Sequence, residues 1–170
     1  FSSCSDLTPI IAPVQSLLED TSKRQMLAAT DAFQEFYGLL VVKVAESDIS
    51  VREEKDSHNK THNTGKDVED FQKTAGIAKG NAWCAAFAYT CHTRAASMLG
   101  GITTAPKTGA ASGMWYQSKS ANTRFTVGQV GAGDASPRGG DLFVFEEVQD
   151  SSGAAIKARD KRIQQAKLAH

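Results

Sequence analysis

Of the three cysteines in this chain, Cys84 stands where a thiol could do chemistry. Asn81 is a good N-cap for a helix running through Leu99, which puts Cys84 third in that helix, inside its first turn. Unpaired backbone N–H groups and the helix dipole favour negative charge there. A thiol so placed holds more of its nucleophilic thiolate form, and the same N–H groups could stabilise the oxyanion of a tetrahedral intermediate. Position alone leaves a plainer reading open, that of a small apolar residue buried on a helix face.

The remaining candidates are weaker. Cys91 follows on the same helix and reads as core. It stands about 10 Å from Cys84 along the helix, beyond disulfide reach. Cys4 is free, lipid-bearing or adventitious; Phe-Ser-Ser-Cys at the chain start faintly resembles a lipoprotein cleavage site, a pattern that Phe fits poorly. His92 lies about 12 Å beyond Cys84 along the helix, too far to take the thiol proton, and reads as a polar or capping residue. His58 and His62 have the i, i+4 spacing of a metal pair. Asn59, Asn63 and Gly65 argue against a helix there, and no cysteine or carboxylate cluster completes a ligand set, so no metal and no cofactor is expected.

The elements that would hold these groups can be read from spacing. Ser22 and Gln25 form a capping box ahead of a stripe of Met26, Thr30, Phe33, Tyr37, Leu40 and Val44, with a kink or break expected at Gly38. Residues 51–64 are polar and read as a surface loop. Thr64 and Asp67 form a second capping box, and Gly76 supplies a helix stop. On the Asn81 helix, Cys84, Phe87, Ala88, Cys91, Ala95 and Met98 share a small apolar face fit to pack on a sheet. Residues 101–123 suggest a long loop in which Trp115 and Tyr116 are the large side chains. Residues 124–130 alternate like a strand, and residues 141–145 form an apolar run of strand length. Residues 153–169 are charged and read as a helix or an excursion between strands. Helices followed by strands predict an α+β fold, with helices packed on a small antiparallel sheet.

Composition sets the outer bounds. The chain has 170 residues, enough for one domain with a short appendage. Nineteen basic residues balance nineteen acidic ones, which removes the basic surplus that nucleic-acid binding needs. The aliphatic run Leu39 to Val42 ends at Lys43, far short of the roughly 20 residues that span a bilayer. The first residue is Phe1 rather than Met, so the natural start is expected to lie elsewhere.

The order of several segments carries more than any of them alone. Val44 to Glu54 is followed by Asn63-Thr-Gly, the Val68–Phe71 helix, Ala82-Trp-Cys-Ala-Ala-Phe and finally Pro137-Arg-Gly-Gly-Asp-Leu-Phe-Val-Phe. This arrangement, over roughly residues 40–145, resembles the CHAP-type cysteine amidases and peptidases, enzymes of bacteria and phages that cleave peptidoglycan on a papain-like scaffold. The resemblance implies Cys84 as nucleophile at a helix N-terminus, forming a thioester that water then hydrolyses. It implies a histidine base on the strand after the Gly-Asp strand. His170 is the histidine that follows Asp141, and an orienting Asn, Asp or Glu is expected beyond it. Residues 40–170 would then be a catalytic domain that stops short at its C-terminus, and residues 1–39 a helical N-terminal extension. The alternative is a degenerate, inactive module with a wall-binding or assembly role. Trp83, Asn63, Trp115 and Tyr116 are the candidate substrate-binding residues; Trp83 would pack beside the cleft, and buried loop anchors are the plainer reading of Trp115 and Tyr116. Asp141 reads as structural, holding the strand start. The partner expected is bacterial cell-wall peptidoglycan, with an immunity or delivery protein if the chain is an antibacterial toxin or phage lysis component. The location would be secreted or periplasmic, because the wall lies outside the inner membrane.

Overall fold

The computed structural model describes residues 9, 11–13, 19–22, 30–101, 103, 105–118, 126–134 and 136–144. Five helices have defined bounds there: α1 (Asp31–Ser47), α2 (Lys66–Ala75), α3 (Cys84–Met98), α4 (Ala111–Ser118) and α5 (Val127–Gly131). The middle helix, α3, is the hub: α1 and α2 pack along it and α4 touches it.

This corrects the expected α+β fold with an antiparallel sheet. Among the described residues there is no strand, and the one β-pairing is an isolated bridge between Lys55 and Thr61. The alternation over residues 124–130 misled because local capping outweighs it. Thr126 Oγ1 accepts from the Gln129 N–H, and the Gln129 side chain accepts from the Thr126 N–H, a reciprocal box that starts α5 in place of a strand. Residues 141–144 have no ladder beside them, and an apolar run becomes a strand only by pairing. The charged stretch 153–169 lies outside the described residues, as do Cys4 and Gln25.

Each helix end has a visible cause. Thr30 caps α1, its Oγ1 accepting from the Phe33 N–H at 3.2 Å, so it precedes the helix and is not part of its stripe. α1 runs unbroken through Gly38 and across the 39/40 boundary. The N-cap of α2 is Gly65 at φ +126°, not Thr64; glycine has no side chain to cap with, and Glu69 Oε1 accepts from the Gly65 N–H instead. At the other end Gly76 adopts the left-handed conformation expected of a helix stop, at φ +75°.

Two apolar clusters hold the hub in place. Leu40, Val41 and Val44 of α1 bury against Cys91, Ala95 and Leu99. On the other side, Phe71 and Ala75 of α2 bury against Ala86, with Trp83 and Phe87 packed around them. The face of α3 expected to meet a sheet thus meets a helix, and its small residues let that helix come close. Arg94 ties the two sides together. Its guanidinium lies 5.6 Å over the Phe71 ring and pairs with Asp48, the C-cap residue of α1.

Candidate functional site

Cys84 opens α3 as its first residue, two positions earlier in the helix than the Asn81 cap implied. Trp83 is the N-cap residue, and no side chain caps this end, so the first-turn N–H groups keep their usual freedom to receive an acceptor. Cys84 is exposed, whereas Cys91 is buried. Of the two open readings of Cys84, the buried apolar residue is therefore set aside.

The segment that leads into Cys84 is held by a polar frame. Trp83 Nε1 donates to Glu53 Oε1 at 2.9 Å, and the Asn63 N–H donates to Glu53 Oε2 at 3.1 Å. Asn63 Nδ2 donates to the Gly80 carbonyl at 3.2 Å. Gln72, buried on α2, donates from Nε2 to the carbonyls of both Asn63 and Asn81, at 2.9 and 2.7 Å. The Trp83 ring stacks on Phe71 with centroids 5.8 Å apart and meets Phe87 edge-on. The indole N–H, followed by the Asn63 N–H, holds the Glu53 carboxyl below the usual glutamate range. Asn63 itself takes a positive φ of 53°, a conformation that asparagine tolerates better than most residues.

Beside Cys84 lies a cavity of about 370 Å³. Its walls come from α1 (Val41), α3 (Ala88), α4 (Met114) and the segment Gly140–Val144. That last segment is seated by a glycine contact. A Cβ on Gly38 would overlap the Gly139 carbonyl, and one on Gly140 would stand 2.8 Å from the Gly38 Cα. Gly38 is thus explained by close approach of a distant turn and not by a kink. Asp141 closes this turn, its carboxylate accepting from the Arg138 N–H at 2.7 Å, so it holds a turn and not the strand start expected of it. Arg138 also pairs with Asp31, but Asp31 is 86 % exposed, so the glycine contact is the stronger anchor.

His92 lines the same cavity from farther along α3. Its Nδ1 lies 3.0 Å from the Tyr37 hydroxyl, and its buried Nε2 has no hydrogen-bond partner of good geometry among the described residues. Burial pushes its pKa down, opposed by the Gly140 carbonyl and the Asp141 carboxylate. Burial also pushes the Tyr37 hydroxyl up.

The structure therefore brings Asn63, Trp83 and Cys84 into one neighbourhood. Trp115 and Tyr116 sit on α4, not in a loop; the cavity takes Ala111 and Met114 from that helix, and Tyr116 is 68 % exposed. His170 lies outside the described residues. His62 pairs with Asp56 at 2.9 Å on the exposed hairpin-like loop, and no group of three metal-binding side chains occurs among the described residues. Also among these residues, no helix is long and apolar enough to cross a membrane. Glu53 and Gln72 were not singled out by the sequence. Their partners lie in other segments, and the one available signal was a glutamine on the apolar stripe of α2. No family model, curated protein or solved structure matches this chain.

Proposed function

We propose that the chain is a cysteine-dependent hydrolase of peptidoglycan, an amidase or endopeptidase. The observation that carries this reading is a convergence. Cys84, from the Trp-Cys-Ala-Ala-Phe motif, and Gly140–Val144, from the Pro-x-x-Gly-Asp motif, border the same cavity although the motifs lie far apart in the chain. These two motifs also carry the resemblance to CHAP-type enzymes. An exposed sulfur at an uncapped helix start adds the electrostatic element that acyl transfer needs.

In this mechanism a base takes the Cys84 proton, and the sulfur attacks the amide carbonyl carbon. The first-turn N–H groups receive the oxyanion. The C–N bond breaks as the amine leaves with that proton, and water then hydrolyses the thioester. His170 is the base in this proposal, and no metal or organic cofactor is required. Such an enzyme acts outside the inner membrane, and a toxin or lysis role would add an immunity or delivery partner. A second reading, a wall-binding module without hydrolysis, draws on His92, which borders the cavity. It is engaged by Tyr37 and stands two helical turns from Cys84.

The test is clearing of a peptidoglycan suspension. The intact protein clears it, and Cys84→Ala lowers the rate by at least about a thousandfold, as loss of a nucleophile does. Clearing at the original rate by Cys84→Ala overturns the nucleophile, and co-sedimentation with walls without clearing selects the binding module.

A further inference from the structure

We propose that Glu53 is a positioning residue for Cys84, locking the residue that opens α3 so that the sulfur leaves the helix start in one direction. The inference rests on the reading in which Cys84 is the nucleophile.

The geometry is specific. Both carboxylate oxygens of Glu53 are used, one by the Trp83 indole and one by the Asn63 main chain. Trp83 is the residue directly before Cys84, and its carbonyl accepts the first bond of α3, from the Phe87 N–H at 2.8 Å. Its ring is fixed in two further directions, by the stack on Phe71 and the edge of Phe87. Stacking alone leaves the ring free to slide in its plane. A hydrogen bond at the indole rim removes that freedom, and a charge-assisted one does so firmly. Asn63 completes the frame, because it is held by Glu53 at its N–H and itself holds the Gly80 carbonyl. Gly80, Asn81 and Trp83, three of the four residues before Cys84, are therefore each tied to another part of the molecule. Catalysis by an attacking sulfur is sensitive to this kind of restraint, since small misplacement of a reacting atom costs orders of magnitude in rate.

The experiment uses the full chain in a Cys4→Ser background, with a nitroxide label attached at the exposed Cys84 while Cys91 remains buried. Glu53→Ala removes both acceptors. Trp83→Phe keeps the ring and removes only the N–H, so it tests the same tie if Glu53→Ala fails to fold. Glu53→Gln keeps a carbonyl oxygen for the indole. Electron paramagnetic resonance is expected to show a more mobile label in Glu53→Ala and Trp83→Phe, and near-original mobility in Glu53→Gln. With unlabelled protein, the first two variants clear walls at least about tenfold more slowly and Glu53→Gln stays within about threefold. Unchanged label mobility in both Glu53→Ala and Trp83→Phe overturns the positioning role. Equal losses in Glu53→Ala and Glu53→Gln, tracking a common fall in melting temperature, also overturn it, because the role would then be structural. Clearing by Cys84→Ala is a separate result that removes the nucleophile reading and leaves the mobility result standing on its own.

Discussion

The two flanks of α3 are built on different principles. Toward α2, the helix start is gripped by directional bonds: Glu53 to Trp83, Gln72 to Asn63 and Asn81, and Asn63 to Gly80. Toward α1, the buried contact is chiefly aliphatic around Cys91 and Ala95, with two polar links, Tyr37 to His92 and Asp48 to Arg94, and beyond it an open cavity is bounded by the glycine-seated turn at residues 138–141. Hydrogen bonds specify direction, whereas aliphatic packing specifies distance. The polar flank is thus suited to aim a side chain, and the apolar flank to accommodate something beside it.

That contrast can be broken most forcefully at Phe71, which serves the polar flank from below. Phe71→Ala is expected to cost about 3–5 kcal/mol in denaturant unfolding, because it empties a buried ring site and removes the support of Trp83, Phe87 and Arg94 together. A loss below 1 kcal/mol would mean that the rings do not act as a unit. Gly38→Ala probes the other flank. The new methyl displaces the Gly139–Gly140 turn from α1, at a cost of about 1–3 kcal/mol, and the cavity opens. Proteolysis within residues 136–144 is expected to quicken in this variant while the Trp83 frame keeps its fluorescence.

The smallest effect is electrostatic. Burial holds the folded-state pKa of His92 below the ordinary 6.5 of an unfolded chain. The unfolded state therefore binds more protons between the two values, so stability is complete above pH about 6.5 and falls as pH drops through the folded value. Urea midpoints measured from pH 7.5 to 5 should decline less steeply in His92→Asn than in the original chain. An identical slope would show that the imidazole is free to ionise where it stands.

Local signals were legible and distant ones were not. Gly76 as a helix stop, the run of α3 to its end near Leu99 and the burial of Cys91 all follow from spacing within one element. α3 starts later than the Asn81 cap implied: the Asn81 carbonyl accepts from Gln72 on another helix, and the first bond of α3 goes to the Trp83 carbonyl. Gly38 looked like a break because nothing nearby in the chain announces Gly139. The role of Glu53 was equally hidden, since an acidic residue in a charged loop looks solvated until the indole that it holds is placed. The expected sheet failed for a related reason. Alternation describes one face of a strand, but pairing requires a neighbour that a single segment cannot supply, and the Thr126–Gln129 box gave the same residues a closer partner.

One consequence follows from how far the glycine-seated turn lies from its seat. Arg138 and Asp31 are separated by 107 positions, so the turn reaches α1 only after nearly all of the described chain has been made. Contacts of such long range close late, after the entropy of a large loop has been overcome. A growing chain would hold Cys84 and its frame before the Gly140–Val144 wall is made, so the cavity is completed only after the frame beside it has formed.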